Sequence, residues 1–165
     1  MKKRAILITL FIWIFIIFYF SSRSPVESST QSSFVTKILK KIDSIMDFSN
    51  TKVFRNIEIF LKKLWFKTQY VPAEMLVRKT AHFSLYFILG IITFFTFYNK
   101  GILISSIIGI TFPNLVATLD EYTQQYYKRG SSLNDVLIDL SGTITGVVLS
   151  LTIVLIIKLI KNKIQ

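Results

Sequence analysis

The chain has 165 residues, with 20 Lys and Arg against nine Asp and Glu, a single histidine and no cysteine. Without cysteine there is no disulfide, thiolate nucleophile or cysteine metal site, and one histidine rules out multi-histidine zinc motifs; no P-loop, G-x-G-x-x-G or G-x-S-x-G occurs either, so no metal and no cofactor is expected. The mean hydropathy of +0.53 comes from apolar residues gathered into blocks, which is the composition of a membrane protein.

The first block, residues 5–20, is apolar throughout apart from Thr9. Lys2, Lys3 and Arg4 before it also fit a secretory signal peptide, whose removal would leave a three-helix protein. The block is rich in aromatics (Phe11, Trp13, Phe15, Phe18, Tyr19, Phe20) and Ser21 and Ser22 follow in place of an A-x-A site, which favours an uncleaved transmembrane helix. Residues 21–33 are serine-rich, contain Pro25 and read as a polar tether. Over residues 34–67 apolar positions recur at helical spacing, first Phe34, Ile38, Ile42 and Ile45, then Phe54, Ile57, Leu61 and Leu64, with lysines between them. This pattern predicts amphipathic interfacial helices that lie along an anionic membrane surface or cap a bundle.

Three further apolar blocks follow at residues 81–98, 102–119 and 136–157. Each approaches or exceeds the roughly 17 to 25 residues that span a bilayer as a helix. The expected fold is therefore all-α: one membrane domain over residues 1–165, a four-transmembrane-helix bundle with the interfacial helices between its first and second spans. The basic residues Lys2, Lys3, Arg4, Lys100, Lys158, Lys161 and Lys163 would share one side. The positive-inside rule then places both termini in the cytoplasm of a multi-pass cell-membrane protein. The net charge of +11 points to lipid head groups, and with no base-reading motif no nucleic-acid partner is expected.

Polar residues sit at the ends of the last three blocks. Arg78, His82 and Tyr86 share a helix face, with Lys79 alongside. A histidine in such a place is either a satisfied core group or, beside two cations, part of an anion site. Asp120 and Gln124 share a face, as do Glu121 and Gln125, at a C-terminal end where the macrodipole opposes two carboxylates. They need a compensating partner, for which Arg78, Lys79 and Arg129 are candidates; a plain structural ion-pair cluster is the alternative. Pro113 and Gly109 in the same block predict a kink. Asn134 and Asp135 suit the N-cap of the fourth span, while Asp139 lies one turn deeper and calls for a buried partner. Gly142 and Gly146 supply small-residue spacing for a close neighbour.

Arg78-Lys79-Thr80-Ala81-His82-Phe83-Ser84-Leu85-Tyr86, then Asp120-Glu121-Tyr122-Thr123-Gln124, then Arg129, Ser132, Asp135 and Gly142 resemble the VanZ-like family of small bacterial membrane proteins. The chain departs from the family pattern at Leu85, where glutamate is usual, and at Tyr127 and Lys128, where proline and glycine often precede the arginine. The resemblance implies a cell-envelope role and a link to teicoplanin resistance, and no defined reaction. Two function classes follow. The first is a protein binding an anionic lipid head group or lipid-linked phosphate at an extracytoplasmic polar site through Arg78, Lys79, Tyr86, Gln124, Arg129, Ser132 and Asp139. The second is an intramembrane enzyme acting on a head group, with His82, Asp120, Glu121 and Asp135 as candidate acid/base residues. A transporter is a weaker option, because no inverted repeat is present. Sequence alone leaves oligomeric state open.

Overall fold

Hydropathy sorts the helices into two kinds. The computed structural model describes residues 2–127 and 132–164, and every regular element among them is helical. Four helices are long and apolar enough to cross a membrane: α1 (Lys2–Ser21), α4 (Ala73–Phe97), α5 (Ile102–Gln124) and α6 (Leu133–Ile164). Between the first two lie α2 (Pro25–Met46) and α3 (Lys52–Phe66). The 32 residues of α6 reach about 48 Å at ~1.5 Å per residue, more than the ~30 Å of hydrocarbon. Its basic last turn, with Lys161 and Lys163, complements the helix dipole at that end.

The spans outrun the apolar blocks that signal them. The second begins at Ala73, so Arg78 and Lys79 lie inside the helix, and α5 runs unbroken through Pro113. A short 3-10 turn, Tyr98–Lys100, links α4 to α5 and ends on Gly101, whose φ of 105° suits glycine.

The described chain divides into two compact units, one comprising α1 and the chain from His82 onward, the other residues 23–81. In the first, α4 and α6 meet backbone to backbone. A Cβ on Gly142 would collide with the Phe83 carbonyl, one on Gly146 with the Phe87 carbonyl, and one on Gly90 with the Thr143 carbonyl. Gly109 of α5 packs beside Phe94 and Val147. Leu10 and Ile17 of α1 join Tyr86, Leu89, Val116 and Ala117 in one buried cluster, and the Trp13 indole donates to the Leu85 carbonyl at 2.9 Å. A second cluster, around Phe94, Val147 and Val154, fills the other end. Leu85 packs against the first cluster, an apolar setting that suits leucine where the family usually has glutamate.

In the second unit the serine-rich segment proves helical from Pro25, which corrects the reading of residues 21–33 as a tether. Ser24 and Glu27 form a reciprocal capping box, with proline in the first turn where its missing N–H costs nothing. The hydroxyls of Thr30, Ser32 and Thr36 then donate to carbonyls one turn back, so the polar side chains are satisfied within the helix. The Ser24 amide, then its hydroxyl, holds the Glu27 carboxyl below its ordinary range. In the last turn of α2, Asp43 accepts from the hydroxyl of Ser49 in the following link at 2.6 Å and from its amide at 2.7 Å, and these bonds likewise lower its pKa. Thr51 caps α3 by accepting from the Phe54 amide. Exposed Phe34, Ile38, Ile42, Ile45, Val53, Ile57, Phe60 and Leu64 leave these two helices with the uncovered apolar surface of interfacial helices.

The α4–α6 contact is open to a direct test. Gly142→Ala or Gly146→Ala forces a methyl onto a backbone carbonyl that cannot yield, and overpacking of this kind costs about 1–3 kcal/mol. Both variants are expected to melt earlier than wild type in detergent, while Thr145→Ala, at an exposed position of the same helix, melts with it. Equal melting of all three would show that the helices do not touch at these glycines.

Candidate functional site

The glycine contacts set the depth at which the polar residues meet. Asp139 stands one turn before Gly142 on α6, and His82 stands beside Phe83 on α4, so the crossing that seats Gly142 on Phe83 also places Asp139 next to the imidazole. His82 Nδ1 and Asp139 Oδ1 are 3.5 Å apart, within ion-pair range though longer than a tight hydrogen bond. Asp139 is 1% exposed, hence shielded from lipid. Thr143, one turn further on, donates to the Asp139 carbonyl at 3.1 Å.

The C-terminal end of α5 supplies the other carboxylates. Asp120, Glu121 and Gln124 are all buried. Ser21, the last residue of α1, donates to Asp120 Oδ2 at 2.8 Å and accepts from the Gln124 amide at 2.8 Å; the same amide reaches Asp120 Oδ2 at 3.3 Å. Glu121 Oε1 accepts the Ser132 backbone N–H. Ser132 immediately precedes α6, so Glu121, disfavoured by the dipole of its own helix, binds at the positive end of the next one. Ser132 also fills the capping role expected of Asn134 and Asp135: its hydroxyl accepts from the Asn134 amide at 3.2 Å and its carbonyl from the Asp135 amide at 2.9 Å. Asp135 instead lies in the first turn, where a carboxylate is favoured.

These groups share one electrostatic neighbourhood. Glu121 interacts with Asp135, His82 and Asp120, while Asp139 interacts with His82, Asp120 and Asp135. The buried Tyr86 hydroxyl faces the charges of Asp120, Asp139 and Glu121 and interacts with the Asp120 carboxylate at a geometry short of a good hydrogen bond. Two buried acceptors, Glu121 Oε2 and Asn114 Oδ1, lack a hydrogen-bond partner among the described residues. The structure thus brings together His82, Tyr86, Asp120, Glu121, Gln124, Ser132, Asp135 and Asp139 from three spans. Arg78 and Lys79 belong to the other unit, where the Lys79 ammonium lies 5.1 Å from the centre of the Phe66 ring. Arg129 lies outside the described residues. Among the described residues, no group of three or more His, Asp or Glu is placed to hold a metal ion.

The VanZ/LLP1 family profile matches residues 6–157, which take in all or nearly all of the four apolar helices. The chain belongs to the VanZ/LLP1 family. No curated protein and no solved structure gives a match. The profile begins inside α1, and it is α1 that supplies Ser21, a member of this VanZ/LLP1 site that sequence reasoning missed. Its only signal was a hydroxyl at the end of an apolar run, at the depth where Asp120 and Gln124 close another.

The single histidine makes the His82–Asp139 contact measurable. With uniformly nitrogen-labelled protein, Asp139→Asn is expected to move the lone imidazole resonances while the fold persists, and Lys100→Gln, at the far end of α4, is expected to leave them in place. Imidazole signals indifferent to Asp139→Asn would mean that the pair is not formed.

Proposed function

We propose that this VanZ/LLP1 membrane protein binds the polar head group of an anionic lipid or lipid-linked envelope precursor, with the cluster around His82 as its recognition site. The observation that carries the reading is the convergence of His82, Asp120, Glu121 and Asp139 inside candidate membrane spans, with Glu121 Oε2 buried and without a hydrogen-bond partner among the described residues. Such an atom costs about 1–3 kcal/mol unless something bonds it. A carboxylate oxygen accepts, so the matching ligand part carries O–H or N–H groups, as glycerol, sugar and amine head groups do. The formal net charge of +11 favours an anionic lipid as the source of that head group.

A second reading has one observation in its favour. A buried aspartate behind an imidazole is the arrangement that orients a histidine and stabilises its protonated form during acid/base catalysis. On that reading His82 would move the proton in cleavage or transfer of a head group, with Asp139 holding the ring. One experiment separates the two. Purified protein in nanodiscs of phosphatidylcholine containing phosphatidylglycerol is expected to enrich phosphatidylglycerol around itself. His82→Ala and Glu121→Gln are each expected to weaken that enrichment by about tenfold, equivalent to ~1.4 kcal/mol. Release of a soluble head group by wild type, and not by His82→Ala, would replace binding with catalysis; no preference for phosphatidylglycerol and no release would remove both.

We place the site outside the cytoplasm and both termini within it, on the positive-inside argument from Lys100 and the terminal basic clusters. The natural absence of cysteine allows single-site labelling without a background. An impermeant thiol reagent added to intact cells should reach Ser132→Cys and spare Lys100→Cys. The opposite pattern would turn the protein over and detach it from the outer envelope.

A further inference from the structure

An aromatic cavity lies next to the polar network, within the same unit. Phe15, Phe18, Tyr19 and Ser22 line it from the end of α1, and Thr123 and Tyr127 from the end of α5 and the 3-10 turn after it, around a volume of about 310 Å³. That is room for on the order of ten water-sized groups, at ~30 Å³ each. Two of its lining residues neighbour network residues along the chain: Ser22 follows Ser21, and Thr123 precedes Gln124.

From this juxtaposition we infer that the cavity is a chain subsite, seating the acyl chain of the phospholipid whose head group enters the polar cluster. The inference rests on the head-group reading and gives it a direction of approach. The lining carries no charged side chain, Phe15 is 70% exposed, and both contributing helices are candidate membrane spans, so lipid is the medium against which the cavity opens. Apolar walls with a few hydroxyl groups at one end match the junction of an acyl chain with its head group. Tyr19 and Tyr127 have the amphipathic rings favoured at that depth.

The test uses the full chain in phosphatidylcholine nanodiscs containing phosphatidylglycerol with a photoreactive diazirine on one acyl chain. Irradiation and peptide mass spectrometry should find label concentrated on Phe15, Phe18, Tyr19 or Tyr127, about tenfold above exposed Leu155 and Ile156 of α6. Thr123→Trp, which fills the cavity, and Phe15→Ala, which removes an exposed wall without touching the buried core, should each abolish that excess. Label spread evenly over the apolar surface of the wild-type protein overturns the subsite, whatever the variants do. A diacylglycerol probe with the same reactive chain separates the two readings. Equal concentration of label from the headless probe keeps the chain subsite and removes the head-group reading; retained phosphatidylglycerol preference with scattered label does the reverse.

Discussion

Backbone contact between α4 and α6 is the constraint on which the rest of the membrane unit depends. Inside lipid no hydrophobic force drives apolar helices together, so close packing and polar contacts must do it. Gly142, Gly146 and Gly90 remove the side chains that would keep the two helices apart. The approach then brings Asp139 within ion-pair distance of His82. A wider crossing would leave the same aspartate with neither a partner nor water, at a cost of several kcal/mol. Small residues at one depth thus permit a carboxylate at another, and the fold and the polar site stand on the same contact.

The remaining carboxylates are placed by helix ends. Asp120 and Glu121 close α5, where the dipole is unfavourable, and the structure compensates each differently. Glu121 accepts from the amide at the start of α6, exchanging the negative end of one helix for the positive end of the next. Asp120 is bonded by the Ser21 hydroxyl and the Gln124 amide, so neutral donors contribute to holding a buried carboxylate whose expected partners were cations. Asp135, in the first turn of α6, has the dipole in its favour. Only Asp139 lies too deep for a helix end to help, and it is the one set against the imidazole.

What could be read in advance follows from how local each signal is. Hydropathy is a property of consecutive residues, so the four spans were legible, and so were the amphipathic stretches within 34–67. Placement at alternating helix ends accounts for the meeting of His82, Asp120, Glu121, Asp135 and Asp139, whereas Arg78 and Lys79 fall in the other unit and Arg129 outside the described residues. The serine-rich segment was not read correctly, because polarity and Pro25 suggest a turn while the deciding signal, Ser24 with Glu27 three residues later, is a pairwise pattern in a short window. The hydroxyls of Ser32 and Thr36 then bond backward within the helix, which removes the expected competition with helix formation. Helix α1 concealed its part for another reason. Trp13 and Ser21 act on α4 and α5 across separations of 72 and 99 residues, and nothing near them in the sequence marks a polar role.

Satisfaction of the buried polar atoms also divides the site by task. Ser21, Asp120 and Gln124 bond one another, and these bonds hold the ends of α1 and α5 in register. Glu121 is split, one oxygen fixed on the Ser132 amide and the other without a hydrogen-bond partner among the described residues. A polar group in a low-dielectric interior interacts more strongly with whatever reaches it and is more costly when nothing does. On the proposed function, recognition therefore falls to Glu121 Oε2, while Ser21 of α1 and the Ser132 amide before α6 supply donors that keep the neighbouring carboxylates in place. Substitutions at Ser21 or Gln124 would then loosen the frame of the site, whereas those at Glu121 would change what it selects.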